Sequence, residues 1–278
     1  MKSSKTSRIV RGAILILLLV WTLFPIYWML SLSIRSSGEL SSALSFFPKS
    51  FSLEHFIDLF QNRDFGTAMK NSVIVTGCSL TLSLIFGLCC AYILARARFR
   101  YRMKGAMLFW VLLIRVLPPI AFALPLYIMM NQLGWLSTKV PIILAHMLIN
   151  IPFIVWFMIT FFENLPEEVE ESGTVDGANE HQLFTQIVLP QVMPGIAAVG
   201  ILSFMTSWNE YLYGVIFVNS PSQFTIPLTL ATLNSEQELA QWGNIAAGGV
   251  LSLIPIALFV IFAQNFLIAG LSSGAVKE

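Results

Sequence analysis

Apolar and polar residues alternate along this chain on the scale of whole segments. Six predominantly apolar runs occupy about 12–34, 72–94, 105–130, 141–162, 195–218 and 244–270 of the 278 residues. Each is roughly 20 residues or longer, the length an α-helix needs to cross a bilayer. The pattern therefore predicts an all-α integral membrane protein, one domain over 1–278 with six transmembrane helices. Lys2, Lys5, Arg8 and Arg11 precede the first run as they would in a signal peptide. That run is too long for one and no small-x-small cleavage site follows, so it predicts an uncleaved first span. Between the first two runs, Leu53, Phe56, Ile57 and Phe60 recur at helical spacing behind Ser52 as N-cap, which predicts a helix lying in the outer interface.

The polar segment 163–194, ENLPEEVEESGTVDGANEHQLFTQIVLPQVMP after its phenylalanines, is the one the rest is organised around. Pro166 stands at a first helical position with Glu167 and Glu168 in the first turn, where the helix dipole favours carboxylates. The helix is predicted to stop at Asp176-Gly177, since glycine takes the left-handed conformation without strain. A second helix restarts at Asn179, with Gln182 reaching back as a variant capping box. Leu183, Phe184, Ile187 and Val188 share one face of it, and Leu189-Pro190 and Pro194-Gly195 are predicted to break the path. The product is a bent pair of short helices on a solvent-facing loop.

Composition agrees with the pattern: 56% of residues are hydrophobic, 11% are charged and the mean hydropathy is +0.76, against about 25% charged in soluble domains. A net charge of +1 gives nucleic acid no footing. Basic residues instead set topology. Arg96, Arg98, Arg100, Arg102 and Lys104 form the densest positive cluster, which the positive-inside rule places in the cytoplasm beside lipid headgroups. Both termini and the 163–194 loop then fall on the same side by parity, and the loop's acids predict a basic or dipole-rich docking surface on a partner. Cys78, Cys89 and Cys90 have neither metal nor redox spacing and read as small buried hydrophobes.

Several polar residues interrupt the spans. Arg115 either faces a cavity or snorkels to the headgroups, and Pro118-Pro119 and Pro125 should break its helix into an irregular wall. His146 and Asn150 lie one turn apart, where interhelical hydrogen bonding or solute contact would use them. Trp208, Asn209, Glu210 and Tyr211 suit a sugar route, with ring faces for CH surfaces and polar atoms for orientation, or else an outer aromatic belt. Gly248-Gly249 and Pro255 predict close packing or a kink. The stretch 219–243 is polar and reads as an outer loop with Glu236 and Glu238.

The loop's spacing resembles a known pattern. Glu171-Ser172-Gly173-x-x-Asp176-Gly177-Ala178, then Phe184, Ile187, Leu189-Pro190 and Pro194, is similar to the EAA loop of ABC-importer membrane subunits, with Ser172 and Gly173 where that pattern has alanines. The segments FPKSFSLEHFIDLF and SWNEYLYGVIF and the tail Gly274-Ala275-Val276-Lys277 resemble corresponding parts of the MalG-like carbohydrate permeases. The resemblance implies a bacterial inner-membrane permease whose loop is a coupling helix docked on an ATPase. It further implies a second homologous permease, two ATPase subunits that carry ATP and magnesium, an extracellular solute-binding protein and a carbohydrate substrate. It implies a second ATPase contact by Gly274, Val276 and Lys277. Neighbouring families with the same loop carry polyamines or phosphorylated glycerol esters. An ion-coupled secondary transporter would need paired intramembrane charges and repeats, for which Arg115 and Glu210 are thin material.

No G-x-x-x-x-G-K-[ST], H-E-x-x-H or G-x-S-x-G occurs and no nucleophile has a base beside it. The expectation is therefore no catalytic residue, no metal ligand and no cofactor site on this chain.

Overall fold

The computed structural model describes residues 5–42, 45–96, 101–235 and 241–274, with side chains within 10–42, 45–96, 103–233 and 242–264. Every regular element among them is helical. Among the described residues four helices are long and apolar enough to cross a membrane, or up to six if each of two bent pairs is counted as one span. Contacts divide the chain into two compact units, Met1–Gly66 with Thr229–Ile254, and Thr67–Leu228 with Pro255–Glu278.

In the first unit, α1 (Lys5–Ser33) presents apolar side chains outward along most of its length and becomes buried only near its end, at Ser31 and Ser33. Arg35 follows it, fully buried. Its guanidinium donates to Ser31 Oγ at 2.9 Å and to the Ser45 carbonyl at 2.6 Å, and it pairs with Glu39 at 3.3 Å. Glu39, on the short turn α2 (Ser37–Leu40), in turn accepts from the Lys49 and Ser50 amides and the Ser50 hydroxyl. Those bonds hold its carboxyl below the ordinary range, the Ser50 hydroxyl most and the Lys49 amide next. The predicted interfacial helix exists as α3 (Glu54–Gln61), but Leu53 rather than Ser52 is the N-cap, and Ser52 Oγ accepts from the Glu54 amide at 3.2 Å from one position earlier. Its buried residues are His55 and Leu59. Leu53, Ile57 and Phe60 face outward, so the apolar stripe read from spacing is the environment-facing side.

His55 explains the inversion. Asn244 Nδ2 donates to Asp58 Oδ2 at 2.8 Å, which fixes Asn244 Oδ1 as an acceptor and His55 Nδ1, 2.9 Å away, as its donor. The imidazole lies directly over Gly243, where an added Cβ would enter the ring. Gly248 meets Leu230, and Gly249 meets the Met29 sulfur, so the predicted close packing at this pair is present. They lie on α14, which runs Gln241–Gly274 rather than 244–270. The loop read over 219–243 instead contains α13 (Ile226–Ser235), whose Ile226, Leu228 and Leu233 are buried. Glu236 and Glu238 lie outside the described residues.

The second unit is built around α7 (Val140–Glu163). Against it pack α5 (Tyr101–Val116) and α11 (Met193–Trp208), and α4 (Phe65–Arg96) approaches where Gly87 leaves room for the Ile154 side chain. Ala91, Ile154, Met158, Phe162 and Val199 are among the residues closing this core. Cys78, Cys89 and Cys90 are exposed, which corrects the expectation of burial: they lie off the side of α4 that carries Leu88, Ala91 and Leu94 into the core. Pro118-Pro119 does break the third run, and α6 (Ile120–Gln132) leaves α5 at 94°. Pro125 does not break it, because α6 continues through that position. The fifth run is also interrupted: α11 ends at Trp208 and α12 (Leu212–Phe217) restarts, with the Glu210 carboxylate accepting from the Tyr213 amide at 2.9 Å. A carboxylate at a helix start replaces the missing backbone partner, and spacing alone gave no sign of that restart.

Candidate functional site

The 163–194 segment folds as an elbow. Its first arm is α8 (Glu167–Val175), preceded by Pro166 as N-cap, one position earlier than the sequence reading put it. Asp176 is the C-cap and Gly177 stands at φ +86°. The Ala178 amide donates to the Gly173 carbonyl at 3.0 Å and the Gly177 amide to the Thr174 carbonyl at 3.1 Å. This is the paired 6→1 and 5→2 closure of a Schellman end. Asn179 then caps the second arm, its side chain accepting from the Gln182 amide at 2.9 Å while Gln182 accepts from the Asn179 amide at 3.0 Å. Both halves of the predicted capping box are present.

The second arm runs α9 (Glu180–Gln182), a π-helical turn over Leu183–Val188, and α10 (Leu189–Gln191). Leu189-Pro190 therefore does not break the path, contrary to the expectation from its proline. Pro190 has no N–H to give an α-helical bond, and the widened π turn before it absorbs the loss. The break comes at Val192, and α11 leaves at 79°.

The two arms touch through Gly173. A Cβ there would run into the Ile187 side chain, with Leu183 Cδ1 3.1 Å away. The small residue Gly173 is thus required by a close approach within the elbow itself. Phe184 is seated between Tyr92 and Phe162, with ring centroids 4.9 Å and 6.5 Å away. Glu170, unremarked in the sequence pattern, anchors the first arm. It accepts from Arg96 Nε at 2.6 Å and from the Tyr92 hydroxyl at 2.7 Å, while Arg96 Nη2 reaches the Leu165 carbonyl at 2.7 Å. Arg96 closes α4, and a basic residue ending one helix near an acid in the first turn of another was the available signal. Glu171, Ser172, Val175 and Asp176 remain exposed, Val175 at 87%. The outward face of α8 thus offers a carboxylate and an apolar side chain one turn apart.

A second feature lies at the α5–α6 bend. A cleft of about 470 Å³ is lined by apolar side chains with Arg115, Asn150 and Thr206 among them. Arg115 Cζ sits 4.6 Å from the centroids of both Phe153 and Trp156. A cation–π contact contributes about 0.5–2 kcal/mol, the more as the cation is desolvated.

The other sequence candidates are largely engaged with one another. His146 Nε2 is 3.2 Å from Glu210 Oε2, and Asn150 Nδ2 donates to Ser207 Oγ at 2.8 Å; His146 and Asn150 are buried. Trp208 is buried and stacked on Phe204. Asn209 donates to the Met205 carbonyl at 2.9 Å, and Tyr211 is exposed. Gly274 ends α14, and Val276 and Lys277 lie outside the described residues.

A multi-helix membrane protein with bent spans and a two-arm elbow between them has the build of a transport permease. The model of the binding-protein-dependent transport system inner membrane component matches residues 83–273. The chain is 31% identical to the inner membrane ABC transporter permease protein YcjP of Escherichia coli, over 95% of this chain and 94% of that one. It is also 31% identical to the diacetylchitobiose uptake system permease protein DasC of Streptomyces coelicolor over the whole of both chains. A crystal structure of a bacterial ABC transporter involved in alginate import superposes with a TM-score of 0.79 at 21% identity, over 95% of this chain and 99% of that one, which shows a shared fold. This chain belongs to the binding-protein-dependent transport system inner membrane component family. It is accordingly a multi-pass protein of the cytoplasmic membrane and an ABC permease subunit.

Proposed function

We propose that this chain forms one half of the translocation pathway of a bacterial importer for a sugar or oligosaccharide and is driven through its 163–194 elbow. On this reading the spans are α1, α4, the bent pair α5–α6, α7, α11 with α12, and α14, giving six, with both termini and the elbow in the cytoplasm. A second homologous permease completes the pathway, two ATPase subunits bind ATP and magnesium, and an extracellular solute-binding protein delivers the solute. The carbohydrate class is supported by DasC, a diacetylchitobiose uptake permease aligned over its full length.

The observation that carries the coupling role is the construction of the elbow. Its two caps tie the backbone at the bend, Gly173 locks arm to arm, and Glu170 ties the first arm to Arg96. Closure of an ATPase dimer against Glu171, Ser172, Val175 and Asp176 is then passed on as rigid-body rotation rather than absorbed by bending. Gly177 and Ala178 set the angle, and Phe184, Ile187, Leu189 and Pro190 seat the second arm. Gly274, Val276 and Lys277 add a second ATPase contact. Among the pathway residues Arg115 and Asn150 line the cleft, while His146, Trp208, Asn209, Glu210 and Tyr211 support the broken helix beside it.

The test is to tag the chain, purify it from its host in mild detergent, and measure uptake after reconstitution. Recovery of a Walker-type ATPase and a second permease, with uptake that needs ATP, supports the reading. Recovery of the chain alone, transporting on an ion gradient without ATP, rejects it.

A further inference from the structure

We propose that the cleft at the α5–α6 bend is an anion site, in which Arg115 takes the carboxylate, sulfonate or phosphate of a sugar-like solute. This deepens the permease reading and rests on it. The argument begins with what Arg115 lacks. No Asp or Glu lines the cleft, and Arg115 has no ion pair or hydrogen bond among the described residues. Its two contacts are to ring faces. Phe153 and Trp156, one turn apart on α7, hold the guanidinium by its charge alone and use none of its N–H donors, and those donors are the part that matches a carboxylate or phosphate bidentately.

The neighbouring polar groups do not compete. Asn150 gives its amide to Ser207, and Thr206 gives its hydroxyl to the Leu202 carbonyl. Asn150 keeps a second N–H, but Arg115 is the one cation among the lining side chains and has all of its donors to offer an incoming group. Glu210, the nearest candidate counter-charge in sequence reading, is held by His146 and the Tyr213 amide. Phe122 and Phe153 supply ring faces on which the CH surface of a sugar packs. An apolar cleft with a single oriented cation selects for one negative charge on an otherwise stackable body. The same chemistry exists in the phosphate of a lipid headgroup, and the experiment separates the two sources.

The purified complex is placed in nanodiscs of phosphatidylcholine, and Trp156 fluorescence, read as the difference from W156F, is followed on titration with glucuronate or with glucose. These probes share a ring and differ in a carboxylate. Glucuronate is expected to perturb the signal saturably, with glucose at least tenfold weaker. R115Q is expected to abolish the response and R115K to retain part of it, which separates loss of charge from loss of fold. If phosphatidylglycerol, whose phosphate lacks the choline counter-charge of phosphatidylcholine, blocks the glucuronate response in wild type but the variant R115Q is indifferent to the lipid, the anion is an anionic lipid headgroup and the solute assignment is overturned. Equal responses to glucose and glucuronate, or a response to neither probe nor lipid, overturn the proposal. ATP-driven uptake in the same preparation keeps the tests apart: uptake without anion binding sinks this site alone, and anion binding without ATP-driven uptake sinks the importer reading.

Discussion

Arg96 and Glu170 lie 2.6 Å apart although one ends α4 and the other sits in the first arm of the elbow, with their side chains 15% and 14% exposed. The pair is largely shielded from solvent and shares Glu170 with the Tyr92 hydroxyl. Hydrogen bonds to charged groups contribute about 1.5–3 kcal/mol each, so Glu170→Ala, which strands the guanidinium, should lower thermal stability by about 2 kcal/mol. Arg96→Ala should cost a similar amount, and the double variant less than the sum. A double-mutant cycle on thermal unfolding that returns no coupling energy removes the anchor.

Gly177 at φ +86° has open space around it, so the restriction there is conformational rather than steric. A left-handed residue with a Cβ costs roughly 1–2 kcal/mol, and a β-branched one more. Gly177→Val is expected to abolish ATP-driven uptake while the external binding protein still binds its solute. Asn tolerates this conformation, so Gly177→Asn should retain most uptake. Full uptake by the valine variant would take the elbow out of the coupling role.

At Gly173 the conflict is steric and soft. The obstructing atom, Ile187 Cδ1, is the end of a flexible side chain, and alanine gains ~1 kcal/mol of helix propensity over glycine. Gly173→Ala should stay within about 1 kcal/mol of wild type in thermal stability. Gly173→Leu should pry the arms apart, seen as faster proteolysis within 163–194.

Glu39 and Glu54 are both held below their ordinary value of 4.5, Glu39 first by the Ser50 hydroxyl and Glu54 first by the Ser37 hydroxyl. A depressed carboxylate contributes stability that is complete above the unfolded value and fades as pH falls through the folded one. Melting temperature should therefore be flat from about pH 7 to 5 and fall below about 4.5. Glu39→Gln with Glu54→Gln should blunt that fall; an unchanged acid limb would assign it to other groups.

Gly243 is the rigid counterpart of Gly173. Its obstruction is the His55 ring, which is buried and tied to Asn244. Overpacking costs typically ~1–3 kcal/mol, and Gly243→Ala should sit at the upper end because the ring cannot move without breaking the Asp58–Asn244–His55 chain. Combining it with His55→Ala should recover part of the loss.

The parts legible in the sequence were those governed by a few adjacent residues. Gly177 stopping a helix, Asn179 with Gln182 starting one and Pro118-Pro119 breaking one are local backbone matters, and all three are present. Pro190 and Pro125 show the limit of the same rule, since a π turn or continuing helix can accommodate a missing N–H. What depends on a partner was hidden. The polar side of α3 goes inward because Asn244, far along the chain, completes the His55 network. The cysteines face outward because the close-packed side of α4 is set by Gly87, Leu88 and Ala91. Glu170 rather than a neighbouring acid is anchored because Arg96 happens to reach it. Six apolar runs were visible, but composition cannot tell that one resumes at Leu212 only because Glu210 supplies the missing backbone partner.

The outward apolar surface of α1 has a consequence for how the protein is made. None of the described residues covers most of that helix, and a helix satisfies its own backbone. Lipid alone is therefore a sufficient solvent for it, and α1 can leave the ribosome, enter the bilayer and remain there while the later helices are still being synthesised. Its end is tied down by near neighbours in sequence, since Arg35 finds Glu39 and the Ser45 carbonyl within the next ten residues.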